Sequence, residues 1–393
     1  MIRSKKVLLI TSIMVLTTLM MAIFFWRTER IQLMMNKQQT AETHIWQSRA
    51  GQAQEALTEL FWNENNRMFD NLTPCFDLCN DQFNYWWQAH AVDVLVDGYV
   101  RTGDEAYSDR LTKIYEGLLV RNAGVFPNEF YDDMEWLAIA FLRAYDATKR
   151  EMFKTAAITL WEDIKTGWNE QSGGGIAWNK KQLDYKNTPA NAPAVILAAR
   201  LYQRFGNAQD LEWAKRIYDW QTDHLVDPES GFVWDGINRT GDGMIDKAWE
   251  FTYCQGVYIG AGVEMFRATK ERTYLQDAIR SAEASVTRLT SPITGMLPYE
   301  DKGDGGLFKG VYVRYVGELI VEDPSQVELI EMLKKNATSL WNDGKASDQV
   351  LFSGSWKTKP EAAVDLSTQL SGMMLLEQMA RLESLGMYVN QNL

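Results

Sequence analysis

One stretch decides the fold. Tyr131 to Thr166 reads YDDMEWLAIAFLRAYDATKREMFKTAAITLWEDIKT. Its first part, 132–148, spreads Met134, Leu137, Ile139, Ala140, Phe141 and Leu142 around most of a helix circumference, the pattern of a helix buried on all sides. Its second part, 151–166, places Phe153, Ala157, Leu160, Trp161 and Ile164 on one face and turns Lys154, Glu162 and Lys165 away, so one side of that helix meets water. Only Lys149 and Arg150 separate the two. So short a link folds the pair into an antiparallel hairpin, an inner helix followed by an outer one.

Outward from this hairpin the alternation continues. Helical periodicity marks 40–60, 84–101, 105–120, 132–148, 151–166, 189–205, 208–224, 248–269, 272–289, 308–320, 325–341 and 364–385, with almost no strand alternation between them. The short turns resemble one another, as in YVRTGDEAY, LRAYDATKREMF and MFRATKERTYL. The other connections are long: 61–83, 121–131, 167–188, 225–247, 290–307 and 342–363. Six inner and six outer helices in alternation predict an all-α fold, an (α/α)6 barrel or six-hairpin toroid. A toroid also accommodates the length. The chain has 393 residues, and cores usually divide above roughly 250–300, yet 36–393 reads as a single domain. All long loops then fall at one end of the barrel. The N-termini of the inner helices converge there, with their free N–H groups and positive dipole ends, and long loops in a compact domain are usually functional.

Residues 1–35 stand apart. Arg3, Lys5 and Lys6 precede an apolar run from Val7 to Trp26, long enough to cross a bilayer and basic at its start like a signal peptide. No small-x-small cleavage site stands out, which favours an uncleaved signal anchor over a cleaved signal peptide. Either way the body is expected outside the cytoplasm, extracellular or at the cell surface. The chain is acidic: 40 Lys and Arg against 52 Asp and Glu give a net charge of −12, which argues against a nucleic-acid partner. Cys75 and Cys79 can pair with each other, which leaves Cys254 free; an odd count fixes no disulfide framework. His44, His90 and His224 are scattered and supply no metal-ligand set, so no metal or cofactor is expected.

Aromatics, amides and acids gather at the converging helix starts, a mixture suited to carbohydrate. Asp132-Asp133 is the sharpest feature. An aspartate pair at a helix start is ordinarily a cap and its dipole-favoured neighbour. Here it follows a long aromatic loop at the cleft end. Glycoside cleavage needs two carboxyl groups in different protonation states. Consecutive Cα atoms lie about 3.8 Å apart, so two Asp carboxyls sit comfortably at the roughly 5–5.5 Å of retaining enzymes rather than the wider spacing of inverting ones. Adjacency favours retention without establishing it. Mutual repulsion also keeps a proton on one of the two. Trp87, His90, Tyr131, Asn191, Asp235, Tyr253 and Gln255 are the candidate sugar contacts, since all lie at or just before inner-helix starts. Trp86 and Trp87 point to different sides of their helix, so at most one faces the cleft.

The segments YWWQAHAVDVLVDGYVRTGD, FYDDMEWLAIAFLRAYDAT, KNTPANAPAVILAARLY, WDGI, EFTYCQGVYIGAGVEMFRAT and LFKGVYVRY, spread over about 45–385, resemble glycoside hydrolase family 76, the endo-α-1,6-mannanases. The resemblance implies an (α/α)6 barrel, a catalytic adjacent Asp pair and retention, with Asp132 as nucleophile and Asp133 as general acid/base. It implies a mannose-containing oligo- or polysaccharide as partner and a monomer without cofactor. Cys254 departs from the family pattern, T-Y-N-Q-G, by replacing an amide. The alternatives are a cell-wall transglycosidase of the same family and a non-catalytic surface glycan-binding protein.

Overall fold

A computed structural model describes residues 44–360 and 362–387. The proposed anchor run lies outside these residues, and no helix among those described is long and apolar enough to cross a membrane. Twelve α-helices appear among the described residues: α1 (Ile45–Phe61), α2 (Tyr85–Thr102), α3 (Glu105–Arg121), α4 (Tyr131–Thr148), α5 (Glu151–Ile164), α6 (Thr188–Phe205), α7 (Ala208–Leu225), α8 (Thr252–Thr269), α9 (Arg272–Leu289), α10 (Gly305–Glu322), α11 (Val327–Asn342) and α12 (Leu366–Ser384). No end differs from the sequence expectation by more than five residues.

The even-numbered helices pack in a closed ring, α2 on α4, α4 on α6 and so on until α12 returns to α2. The odd-numbered helices form the outer layer. Burial follows the hydrophobic patterning: α6 is buried from Thr188 to Leu201 without a break, whereas α9 buries only Leu275, Ala278, Ser281, Ala282 and Ser285. Small residues set the spacing of the ring. A Cβ on Gly256 would lie 2.5 Å from the Tyr312 Cα, and one on Gly260 would lie 2.3 Å from the Tyr315 ring, so α8 and α10 approach as closely as they do only because those side chains are missing.

The four short inner-to-outer turns share one device. Gly103, Lys149, Gly206 and Lys270 each follow an inner helix with φ between 57° and 73°, a left-handed stop that satisfies a terminal carbonyl and reverses the chain. Asp104 and Asn207 then cap the next outer helix through their side chains.

The long loops hold short strands that the sequence reading passed over: β1 (Trp62–Asn63), β2 (Met68–Phe69), β3 (Leu72–Thr73), β4 (Ala177–Asn179), β5 (Gln182–Asn187), β6 (Gly236–Ile237) and β7 (Val364–Asp365). They form β1-β2, β3-β7 and β4-β5-β6 sheets, all antiparallel. At two to six residues they are too short to display a period of two. The first long loop also carries a Cys75–Cys79 disulfide, while Cys254 is free and buried.

A side-chain amide anchors four of these loops. The fourth residue of α2, α6, α8 and α12 is Gln88, Asn191, Gln255 and Gln369 respectively. Gln88 accepts from the Phe69 N–H at 3.1 Å and donates to the Phe69 carbonyl at 2.7 Å. Asn191 grips Ile176 in the same way at 2.8 and 2.9 Å, and Gln255 grips Val233 at 2.9 and 2.6 Å. Gln369 accepts from the Phe352 N–H and donates to the Val350 carbonyl, both at 3.0 Å. Phe69, Ile176, Val233 and Phe352 are each also paired in a β-bridge, so each clamp holds one edge of a small hairpin.

At the far end the inner-helix C-termini meet in a charged layer. Arg143 pairs with Asp93 and Asp97, and Arg314 pairs with the same two at 2.8 and 2.7 Å. The two guanidiniums hold the Asp97 carboxyl down at about 2, against the opposing effect of its burial. Arginines there also complement the negative dipole ends.

Candidate active site

A cavity of about 590 Å³ opens at the loop end. Its lining draws on the start of five inner helices: Tyr85 and Trp86 from α2, Asp132 and Asp133 from α4, Pro189 from α6, Tyr253 from α8 and Phe308 from α10. Trp178 and Tyr185 reach in from β4 and β5, and Trp249 and Arg239 from the loop before α8. The walls are largely aromatic. Tyr253 stacks on Phe308 at 3.9 Å with the rings 3° from parallel, and Phe130 lies beside Trp178 at 5.3 Å.

Asp132 and Asp133 occupy the first turn of α4, both half-buried. Their surroundings differ. Asp132 Oδ1 accepts from the backbone N–H of Asp133 at 2.9 Å, and its Oδ2 accepts from the Trp178 indole at 3.1 Å. Asp133 Oδ2 accepts only a longer bond, 3.3 Å, from the Asn128 amide. Burial pushes the Asp132 carboxyl up to about 7 in spite of its two N–H donors, with the Asp304 charge adding to the rise. Burial and then the charge of Asp132 push Asp133 well above the ordinary carboxylate range. Hydrogen bonds to an anion favour the ionised form; Asp132 has two such donors and Asp133 one. Asp132 is therefore the group that ionises first and Asp133 the group that keeps its proton.

Two of the seven expected sugar contacts line the cavity. Asp235 is held by the hydroxyls of Tyr185 at 2.9 Å and Tyr253 at 3.2 Å, and Tyr253 itself is the second. The other five stand behind the wall. Trp87 is buried with its indole N–H committed to Asp304, while Trp86 is the half-buried member that faces the cavity. Tyr131 is buried and bonds Thr166 at 3.3 Å. Asn191 and Gln255 are fully buried loop clamps. His90 is buried against Trp136, ring centres 4.9 Å apart, and burial holds its imidazole down at about 3, so it stays neutral. The sequence shows which helix ends converge but not the rotation that sends an amide inward to a loop rather than outward to a ligand. Cys254 is fully buried, with its Sγ 3.4 Å from Asp235 Oδ1; the thiol braces the site from behind. Asp304 and Arg239 went unseen because each sits in a loop without periodicity, where the glycines flanking Asp304 indicate just a turn; Trp249 reads in sequence as part of a helix from 248, but that helix starts at Thr252 and leaves Trp249 in the preceding loop.

Two outcomes follow from this geometry. Replacing Gln255 by Leu strands the Val233 N–H and carbonyl, and each buried unpaired group costs about 1–3 kcal/mol. The variant should melt several degrees lower, with faster amide exchange at Val233. Unchanged melting and exchange would mean the clamp holds nothing. Replacing Trp178 by Phe removes a donor to the Asp132 anion, a charge-assisted bond of about 1.5–3 kcal/mol. Loss of that donor raises the Asp132 pKa, so the carboxyl, followed by NMR, should titrate about one unit higher. An Asp132 titration that stays in place would separate Trp178 from the ionisation of Asp132.

A closed helical barrel with an unequal carboxylate pair in an aromatic cleft defines a class of carbohydrate-active scaffold. This chain belongs to glycosyl hydrolase family 76, whose model matches residues 45–392. Among solved structures it is similar to the GH76A α-1,6-mannanase from Salegentibacter sp. HEL1_6, at 45% identity and a TM-score of 0.81, covering 86% of this chain and 99% of that one. An inactive variant of that mannanase with two adjacent aspartates changed to alanine, solved with an α-1,6-mannotetraose, matches at 44% identity and the same TM-score and coverage. The Lin0763 protein from Listeria innocua is similar at 41% identity, TM-score 0.82, covering 86% and 98%. Among curated proteins, the mannan endo-1,6-α-mannosidase DCW1 of Candida glabrata is 26% identical over 271 residues, 62% of this chain; the match spans 60% of that relative's length.

Proposed function

We propose that this protein is an endo-acting glycosidase that hydrolyses α-1,6-mannosidic bonds with retention of configuration. The observation that carries the reading is the unequal hydrogen bonding of two adjacent aspartates facing one cavity. The ionised Asp132 attacks the anomeric carbon and forms a glycosyl ester. The bond from that carbon to the departing oxygen breaks as Asp133 delivers its proton to the oxygen. Asp133, now a carboxylate, takes a proton from water; the water oxygen bonds to the anomeric carbon and Asp132 leaves as a carboxylate. The mannanase relative supports both halves of the reading: its variant lacking an adjacent aspartate pair is inactive and was solved with an α-1,6-mannotetraose. Aromatic faces such as Trp86 and Tyr253 would pack on pyranose rings. Residues 36–393 act as one catalytic domain outside the cytoplasm, where the Cys75–Cys79 bond persists, held at the membrane by residues 7–26.

Incubation with linear α-1,6-mannan, followed by NMR of the first product, tests this. Shorter oligosaccharides whose new reducing end is first α are expected. A first-formed β anomer would replace retention by inversion, predominantly longer products would indicate transfer to sugar, and binding without cleavage would leave a lectin.

A further inference from the structure

Asp304 stands directly before α10 and lines the same cavity as Asp132 and Asp133. One of its oxygens is fully committed. Oδ1 accepts the indole N–H of Trp86 at 2.8 Å and that of Trp87 at 2.9 Å. The other, Oδ2, has no hydrogen-bond partner among the described residues, and no cation there pairs with the group. The carboxylate is exposed, yet its position is fixed. Trp87 is buried, Trp86 is wedged beside Trp136 and Phe308, and Asp365 holds the preceding turn through the Gly303 N–H at 2.9 Å. Two N–H donors on one oxygen orient the carboxylate plane. What remains is a single, immobile, charged acceptor at the wall of a sugar-sized cleft.

We propose that Asp304 is a specificity-determining residue whose free Oδ2 accepts a hydroxyl hydrogen from a mannosyl unit bound in the cleft. The inference rests on the glycosidase reading and deepens it. Trp87 thereby acts at second hand, as the brace that aims the acceptor. Asparagine is the informative replacement. The two indoles require an oxygen, so the amide of Asp304→Asn must turn its oxygen to them and present its NH2 to the cleft. The group facing the sugar changes from acceptor to donor with almost no change of shape.

Asp304→Asn should raise KM for α-1,6-mannotetraose by about 30- to 100-fold, the loss of one charge-assisted hydrogen bond, with a much smaller change in kcat. The alkaline limb of the pH profile should also move to lower pH, because the Asp304 charge helps hold the proton on Asp133. A calorimetric titration of the same tetrasaccharide into Asp132→Asn protein, with and without Asp304→Asn, separates this inference from the catalytic one. If the wild type cleaves nothing, yet the Asp132→Asn protein binds and the second substitution abolishes binding, the glycosidase reading fails and the Asp304 assignment stands. Unchanged KM and unchanged titration in the Asp304→Asn proteins, or no binding to the Asp132→Asn protein at all, overturns it.

Discussion

Asp132→Asn is expected to lose turnover of α-1,6-mannan while gaining thermal stability at neutral pH. The first effect follows from chemistry: an amide cannot form the glycosyl ester, and loss of a nucleophile should lower kcat/KM by about ten-thousand-fold or more, equivalent to about 5.5 kcal/mol of barrier. The second follows from linkage. Asp132 has a folded-state pKa raised from 3.8 to about 7. Between those values the native state binds more protons than the unfolded chain, so stability falls as pH rises. Asparagine carries no such penalty. The melting temperatures of the two proteins should coincide near pH 4 and diverge toward pH 7, where the variant should melt a few degrees higher. An active variant, or one that melts lower than wild type at pH 7, would contradict the buried-nucleophile assignment.

Asp133→Ala should separate the two halves of the reaction. Proton delivery by a positioned acid contributes about a hundred- to ten-thousand-fold, so hydrolysis of mannan should fall by that order. An α-mannosyl fluoride, whose leaving group needs no proton, should still load Asp132. The glycosyl-enzyme then waits, because no base activates water. Azide, small enough for the vacated space and already anionic, should restore turnover and yield the α-mannosyl azide. A β-azide would show that Asp132 is not the nucleophile, and full activity on mannan without azide would remove Asp133 from the reaction.

The barrel was legible in the sequence because its helices carry their environment in their composition. The contrast between α4, apolar all round, and α5, apolar on one stripe, is enough to tell an inner helix from an outer one. The short turns after the inner helices were visible as well, and at Gly103 and Gly206 the structure makes them left-handed stops, a conformation glycine tolerates. Lys149 and Lys270 adopt the same conformation without that signature. The acid pair was legible from its adjacency and its place at a helix start. Which of the two ionises first was not. That depends on Trp178, forty-six residues away along the chain, and on a 3.3 Å amide contact from Asn128, and neither is encoded in spacing. The candidate sugar contacts divide along the same line. Asp235 and Tyr253 reach the cavity, but the rotation of Asn191 and Gln255 inward is fixed by tertiary packing. Polar residues at a cleft end look alike in sequence whether they serve the ligand or the frame.

The four amide clamps have an evolutionary corollary. Each grips peptide groups, which every residue type possesses, and none reads a side chain. Rim sequence can therefore drift, lengthen or be swapped while its attachment to the frame stays intact, provided the gripped position keeps its extended backbone. Selection can remodel what the mouth recognises without paying in foldability, and grafting whole rim segments between barrels of this design is the natural route to new sugar preferences.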